Sequence, residues 1–87
     1  MINPYIELHA NDDVLIARED IAAGTVLTGS VSAIADIPAS HKVARRAIAL
    51  GEPVIRYNQV IGFATQAIQP GEHVHSHNLE MGRVELD

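Results

Sequence analysis

The stretch "FATQAIQPGEHV", residues 63–74, shows the pattern that decides the fold of this chain. It runs from an apolar residue and an alanine to an isoleucine, a glycine and a valine. Two earlier segments have the same order, "IAREDIAAGTV" from Ile16 and "VARRAIALGEPV" from Val43. In all three segments the isoleucine follows the alanine by four residues, and the glycine follows the isoleucine by three. The chain therefore uses one local pattern three times.

A turn is the physical interpretation of this pattern. Isoleucine can fill the core, while glycine adopts a positive φ that other residues resist, so the chain reverses and the valine begins the next strand. The glycines Gly24, Gly51 and Gly71 are separated by 27 and then 20 residues, and such unequal spacings exclude a regular solenoid. Chance recurrence in a chain rich in alanine, isoleucine and valine is the alternative. We predict three superimposable turns within a single domain, residues 1–87.

Short segments that are rich in β-branched residues and bounded by turn residues predict the strands. These segments cover residues 13–17, 53–57 and 59–65. Several short strands of this kind indicate a mainly β domain rather than a helical one.

Residues 39–50 allow two interpretations. Their alanine and arginine content, with Pro38 near the start and Gly51 after the end, is compatible with a helix. The equivalent segment of the first copy, however, has the composition of a strand. We therefore favour a strand over residues 41–46 and a single helical turn near each of the repeated glycines.

The composition indicates a folded domain with a thin core. Of the 87 residues, 47% are hydrophobic and 20% are charged, but there are only one Phe, two Tyr and no Trp. The core must therefore be built from Ala, Ile, Val and Leu. Because little large apolar surface is available, part of the stability is expected to come from a partner surface, and we expect an oligomer or a complex.

Charge and cysteine content exclude several classes of protein. The formal net charge of −5 repels a polyphosphate backbone, so a nucleic-acid partner is not expected. The absence of cysteine excludes a disulfide framework, a thiolate zinc site and a cysteine nucleophile, so any metal must use nitrogen and oxygen ligands. The N-terminal residues do not read as a secretion signal, and no apolar run approaches the ~20 residues of a membrane span. We expect a cytoplasmic protein with no membrane partner.

Three of the five histidines lie in "GEHVHSHN", residues 71–78. They are His73, His75 and His77, at every second position, and in an extended strand all three side chains would point to the same side. Imidazole is a good ligand for divalent iron, manganese and zinc. The spacing therefore suggests a metal site, while a solvated strand that holds no ligand is the alternative.

The repeated turn and three longer motifs resemble a known family. The thrice-used isoleucine–glycine turn resembles the SAF domain, a β-clip fold. "HANDDVLIARED-IAAGT", "HKVARRAIALGEPVIRYNQVIG" and "GEHVHSHNLE" resemble the N-terminal domain of the altronate and galactarate dehydratase family. In some members, including sulfolactate sulfo-lyase, this domain is a separate small subunit. The resemblance covers residues 5–80; among its departures, Ser40 stands where the family usually has glycine before His41.

The resemblance implies a compact SAF-like fold and a lyase. The implied reaction removes the proton α to a carboxylate and expels hydroxide or sulfite from the β carbon, which gives a 2-keto acid after tautomerisation. It also implies a divalent metal, Fe²⁺ or Mn²⁺, a small acidic substrate and a large dehydratase-like subunit that completes the site. The isolated small subunit is then expected to be inactive. A non-catalytic SAF module that binds a carbohydrate or a protein is the alternative function.

The resemblance also implies site residues. The expected metal ligands are His73, His75 and His77. The expected catalytic residues are His9, Asp12, His41 and Lys42, and the expected substrate-binding residues are Lys42 and Asn78. We predict one polar pocket formed by His75 and His77 with help from His9 or Asp12.

Two alternatives stay open at these positions. Asn78 can either bind a substrate hydroxyl or close a turn. Arg45, Arg46 and Arg56 can be surface or interface charges, or one of them can bind an acidic substrate.

Overall fold

A computed structural model describes residues 3–82, which form two antiparallel sheets and contain no helix. The first sheet has the strand order β1-β2-β3-β6 and the second has the order β4-β5-β7. The strands are β1 (Tyr5–Ile6), β2 (Val14–Ala17), β3 (Lys42–Ala44), β4 (Pro53–Arg56), β5 (Gln59–Ala64), β6 (His73–Val74) and β7 (Leu79–Glu80). The mainly β prediction is confirmed. Within these residues, no helix is long and apolar enough to cross a membrane.

The segment at residues 39–50 forms a short strand and a turn. Its strand is limited to Lys42–Ala44, shorter than the predicted 41–46, because the chain leaves the sheet after Arg45 donates its N–H to the carbonyl of Asp13 at 2.8 Å. The predicted helical turns at the glycines are wrong. The chain reverses there through hydrogen-bonded β-turns instead.

The three repeated glycines occupy the same place in the same kind of turn. Gly24, Gly51 and Gly71 have φ of 92°, 81° and 86°. In each case the residue after the glycine donates its N–H to the carbonyl three residues earlier, at 2.9–3.1 Å. A positive φ at the third position is what a type II turn requires, and glycine supplies it without steric cost. The repeated turn predicted from the sequence is therefore present at all three glycines.

A fourth turn of the same kind is centred on Ser40. Its φ is 72°, and the N–H of His41 bonds to the carbonyl of Pro38 at 3.0 Å. Ala33 and Ile37 precede it with the spacing found in the other copies. The sequence pattern missed this copy because serine stands where the other three turns have glycine.

The four turns associate in two reciprocal pairs. Ile21 and Ile37 exchange both backbone hydrogen bonds at 2.8 Å, and Ile48 and Ile68 do the same at 2.8–2.9 Å. All four isoleucine side chains are buried. Each pair closes its own hydrophobic cluster, so the domain has two small cores instead of one.

The first sheet separates the two cores. Val14 and Ala44 pair across β2 and β3 and pack into the core of Ile48, whereas Leu15 and Val43 pair on the opposite face and pack into the core of Ile21. Because successive side chains alternate between the faces, both faces of these two strands are buried.

Candidate metal centre

Three histidines converge where β3 and β6 lie side by side. His41 immediately precedes β3, His73 is the first residue of β6, and Val43 pairs with His73 in the sheet. Side chains two residues apart on a strand share a face. His41 therefore lies on the face of Val43, and His75 follows His73 on the same side.

The rings of these histidines are close enough to share one ion. Nδ1 of His41 lies 2.8 Å from Nε2 of His73, and the His41 and His75 rings stack with their centroids 4.0 Å apart. One ring nitrogen from each of the three residues lies within 4.8 Å of the others. Three convergent imidazoles are a donor set that binds divalent transition metals, so the residues present fit a metal ion.

His77 does not belong to this group of three. It is not among the residues whose ring nitrogens all lie within 4.8 Å of one another, and its ring is tilted by 40° against that of His73. The strand β6 ends at Val74, and a turn follows in which the N–H of Asn78 bonds to the carbonyl of His75 at 3.1 Å. The two-residue periodicity therefore does not extend to His77, and the structure brings His41 to the cluster in its place. The metal-binding role that the family resemblance implies for His77 stays a prediction; the geometry favours His41 in its place, and metal binding by His77→Ala distinguishes the two.

Asn78 is fully buried and fixes the backbone of the histidine segment. Its Oδ1 accepts the N–H of His75 at 2.9 Å, and its Nδ2 donates to the carbonyl of His73 at 2.9 Å and to Glu72 Oε2 at 3.4 Å. The structure thus shows Asn78 closing the turn, and a contact between its side chain and substrate stays a prediction.

The environment of the cluster favours neutral imidazoles. Desolvation, followed by the charges of His41, His77 and His75, lowers the pKa of His73 below its usual value. Desolvation, followed by the charges of His41, Lys42 and His77, also lowers the pKa of His75. A neutral ring keeps the lone pair that a metal requires.

Lys42 lies on the opposite face of the sheet from the histidines. It pairs with Ile16 and Val74, and the side chain of Val74 packs into the core of Ile48. Desolvation and the nearby charge of Arg56 lower the pKa of Lys42, in that order. His41 and Lys42 are adjacent along the chain and therefore lie on opposite faces.

His9 and Asp12 lie together in the loop between β1 and β2, outside the group of three histidines. Nδ1 of His9 accepts the N–H of Asn11 at 3.1 Å. Asp12 is only 3% exposed; its Oδ1 accepts the N–H of Asn58 at 3.3 Å, and its Oδ2 has no hydrogen-bond partner among the described residues. A buried carboxylate oxygen without a partner is uncommon. The catalytic roles assigned to these two residues stay predictions.

Two of the arginines hold this loop and the start of β2. Arg45 donates to the backbone carbonyls of His9 and Asp12 at 3.4–3.5 Å. Arg46 Nε bonds to the buried Asp13 at 2.7 Å, and Asp13 Oδ2 accepts the N–H of Ile55 at 2.8 Å. The sequence gives no sign of these long-range contacts, because the partners are more than thirty residues apart.

Comparison with known proteins identifies the family. The profile of the altronate/galactarate dehydratase SAF domain matches residues 3–82, which include the whole histidine cluster. The chain belongs to this family.

The relatives of this SAF domain differ greatly in length. The chain is 40% identical over 86 residues to the altronate dehydratase of Escherichia coli (strain K12), covering 95% of this chain but 17% of that protein. It is 39% identical over 72 residues to the galactarate dehydratase (L-threo-forming) of the same organism, covering 80% of this chain and 14% of that protein. It is 39% identical over 87 residues to the (2R)-sulfolactate sulfo-lyase subunit alpha of Chromohalobacter salexigens, covering 87% of this chain and 93% of that subunit. The SAF domain thus matches a short part of the dehydratases and nearly all of the sulfo-lyase subunit.

Proposed function

We propose that this chain is the small subunit of a sugar-acid dehydratase or a sulfo-acid lyase, and that a large subunit completes its active site. The observation that carries the proposal is the cluster of His41, His73 and His75 on a SAF domain that aligns with 93% of a sulfo-lyase subunit alpha. Function depends on the site rather than on the fold, and a non-catalytic module needs no such cluster. We also propose a cytoplasmic location, because the relatives are named as dehydratases and a sulfo-lyase.

The three histidines would hold a divalent ion, Fe²⁺ or Mn²⁺. When bound, such an ion supplies Lewis-acid stabilisation of the negative charge that develops on the substrate carboxylate. The hydrogen bond between His41 Nδ1 and His73 Nε2 requires one ring to carry a proton at that contact. If both of these nitrogens become ligands, that proton must move to the other nitrogen of its ring, and binding therefore selects one tautomer in each ring.

The chain also offers groups that can move protons in a β-elimination. The base takes the α proton, the electron pair of that C–H bond forms the double bond, and the C–O or C–S bond at the β carbon breaks. The unpartnered Oδ2 of Asp12 is an acceptor of the kind this step needs. Because Nδ1 of His9 accepts the N–H of Asn11, Nε2 is the nitrogen that would carry the hydrogen and donate it to a departing hydroxide.

Lys42 would bind an acid group of the substrate other than the one at the ion, because it lies on the opposite face of the sheet from the histidines and has no carboxylate partner within the described residues. We assign the remaining catalytic groups to the large subunit. The longer dehydratase relatives contain, beyond the matched SAF domain, more than four fifths of their length. That remainder can provide what 87 residues do not.

The test is turnover by the chain with and without a dehydratase-family large subunit. Altronate, galactarate and (2R)-sulfolactate are supplied with Fe²⁺ or Mn²⁺, and the 2-keto acid and any released sulfite are measured. We expect the chain alone to be inactive and the complex to convert one of the three acids. Turnover by the purified chain alone would show that the remaining catalytic groups are not in the large subunit. A complex that forms but converts none of the acids would favour the non-catalytic alternative.

His75→Ala in the same complex tests the part that the cluster plays. Because His75 is exposed at the edge of the sheet, its loss leaves no core cavity, and we expect a folded chain that forms an inactive complex. Ser76→Ala, one residue along the same exposed turn, is the matched control and should keep full activity. Normal turnover by the folded His75→Ala complex would contradict the assignment.

A further inference from the structure

Two cationic side chains beside the core of Ile48, those of Lys42 and Arg56, have no carboxylate partner among the described residues. Among the described residues, Arg45 pairs with Glu7, and Arg46 pairs with Asp13 and Glu52. Within the same residues, neither Lys42 nor Arg56 forms an ion pair.

Strand geometry places these two cations on the same core. Lys42 lies opposite Val74 in the first sheet, and Val74 packs in the cluster of Ile48. On β4, Val54 enters the same cluster, and Arg56 follows it by two residues and so lies on the same side of the strand. The two cations therefore border one core from two different sheets. The charge of Arg56, after desolvation, also lowers the pKa of Lys42.

The backbone of Arg56 is fixed at the end of a tight hairpin, and a donor of its side chain has no acceptor among the described residues. It pairs with Gln59 across a two-residue turn in which Tyr57 and Asn58 have φ of 53° and 61°, the geometry of a tight hairpin. The N–H of Asn58 is anchored on Asp12. The Nε of Arg56 is buried and has no acceptor within residues 3–82. A buried donor normally has a partner, and a guanidinium suits the planar, two-pronged geometry of a carboxylate.

We propose that Lys42 and Arg56 form one two-cation site that binds an anionic group of the acid substrate, a carboxylate or a sulfonate. The inference rests on the proposed function, because it names residues that recognise the substrate of that same reaction. Two adjacent cations repel each other until an anion lies between them, so the site selects acids over the uncharged sugar alcohols of the same shape. It also separates the roles of the arginines: Arg45 and Arg46 support the structure, and Arg56 recognises substrate.

The first experiment is a titration of the ¹⁵N-labelled wild-type chain, followed by the NMR signals of its arginine Nε–H and lysine Nζ groups. The probes are galactarate and (2R)-sulfolactate, with galactitol as the uncharged control. We expect one of the acids to shift Arg56 and Lys42, and galactitol to shift neither. Arg18 is exposed and outside the site, and it should not move. Acids that leave Arg56 unmoved, or that shift Arg18 equally, would overturn the proposal.

The second experiment uses variants. Arg56→Gln should weaken acid binding by about 10- to 100-fold, the loss expected for hydrogen bonds to a charged group. Arg56→Lys should recover part of that loss because it restores the charge, and Arg18→Gln should bind as the wild type does. Unchanged binding by folded Arg56→Gln would refute the proposal. If binding of the large subunit moves the Arg56 signal and the acids do not, the pair serves the subunit interface and the proposal is wrong.

These measurements separate the two proposals. Acid binding at Arg56 without turnover in the complex would reject the proposed function and keep the anion site. Turnover in a complex whose KM and kcat do not respond to Arg56→Gln would keep the function and reject the site.

Discussion

Asn78 illustrates how one buried amide positions a cluster of partly exposed histidines. Two of its three polar contacts fix the backbone at His73 and His75, and the third holds the side chain of Glu72. Buried amides that satisfy backbone groups are costly to remove, because the partners are then buried without hydrogen bonds. The residue thus links the stability of the turn to the geometry of the candidate metal centre.

We predict that Asn78→Ala lowers the free energy of unfolding by about 2–4 kcal/mol, since it leaves the N–H of His75 and the carbonyl of His73 unpaired. In the molecules that remain folded, the substitution should also weaken metal binding. Urea unfolding measures the first effect. Ser76→Ala, in the same turn but exposed, is the control and should change stability by less than about 0.5 kcal/mol. Equal stability of the Asn78→Ala chain would contradict the role of this amide.

The pKa values of His73 and His75, lowered by desolvation and neighbouring charges, give a pH dependence with a defined sign. An unfolded imidazole titrates near about 6.5. As the pH falls through that value toward the lowered values of the folded state, the unfolded chain takes up protons first, so the free energy of unfolding falls. Above about pH 7 this contribution to the pH dependence disappears.

NMR titration of the ring Cε1–H signals measures this directly. We expect midpoints for His73 and His75 below the ordinary value in the metal-free chain. Between neutral and mildly acid pH, the free energy of unfolding of His73→Gln should fall less than that of the wild type. Midpoints at or above the ordinary value would show that the stacked rings are not desolvated as described.

At the scale of the elements, the repeated turn requires a positive φ, and at Gly71 it also requires room for the close approach of another segment. Gly24 and Gly71 have similar φ, 92° and 86°. A Cβ added at Gly24 would meet nothing within 4 Å, whereas one at Gly71 would lie 1.9 Å from the carbonyl oxygen of Ser32. The first glycine is needed for conformation alone, and the second is needed for conformation and space.

The pair Gly24→Ala and Gly71→Ala separates these requirements. We predict a loss of about 1–2 kcal/mol at Gly24 from backbone strain. Gly71→Ala should lose about 1–3 kcal/mol more, because the loop at Ser32 must also move. Thermal or urea unfolding of the two variants is the measurement, and equal losses would mean that the contact between this turn and Ser32 is loose.

Ser40 carries the same strain in the wild-type chain. Its φ of 72° costs a non-glycine residue about 1–2 kcal/mol, more than the about 0.4–1 kcal/mol by which glycine favours the unfolded state. Ser40→Gly is therefore expected to raise the free energy of unfolding by about 0.5–1 kcal/mol. A loss of stability would show that the Ser40 side chain contributes a favourable contact that outweighs the strain.

At the scale of the whole molecule, two reciprocal pairs of turns build two cores on either side of one sheet. The sequence was sufficient to predict the three turns at Gly24, Gly51 and Gly71, because a positive φ leaves a mark on residue type. It was not sufficient for the copy at Ser40, where the fold imposes the conformation on a residue that tolerates it poorly. The pairing between turns depends on backbone hydrogen bonds, which do not restrict residue type, so the sequence did not predict it.

The candidate metal site shows the same difference between a local sequence pattern, which can be predicted, and a long-range contact, which cannot. Alternation correctly placed His73 and His75 on one side, but extending it to His77 assumed a strand longer than β6. His41 joins the cluster through the pairing of β3 with β6, a contact between segments 32 residues apart. The family resemblance indicated that His41 matters, and only the sheet register shows where it lies.

In the proposed metal centre, His41, His73 and His75 together hold one divalent ion. The most direct measurement is the binding of Mn²⁺ to the 87-residue chain, followed by electron paramagnetic resonance, for the wild type, His75→Ala and His77→Ala. The two variants remove exposed imidazoles two residues apart, so they differ only in whether the ring belongs to the cluster. We predict one Mn²⁺ per wild-type chain, at least about tenfold weaker binding by His75→Ala, and binding by His77→Ala within about twofold of the wild type. Equal loss in both variants, or no saturable binding by the wild type, would contradict the account.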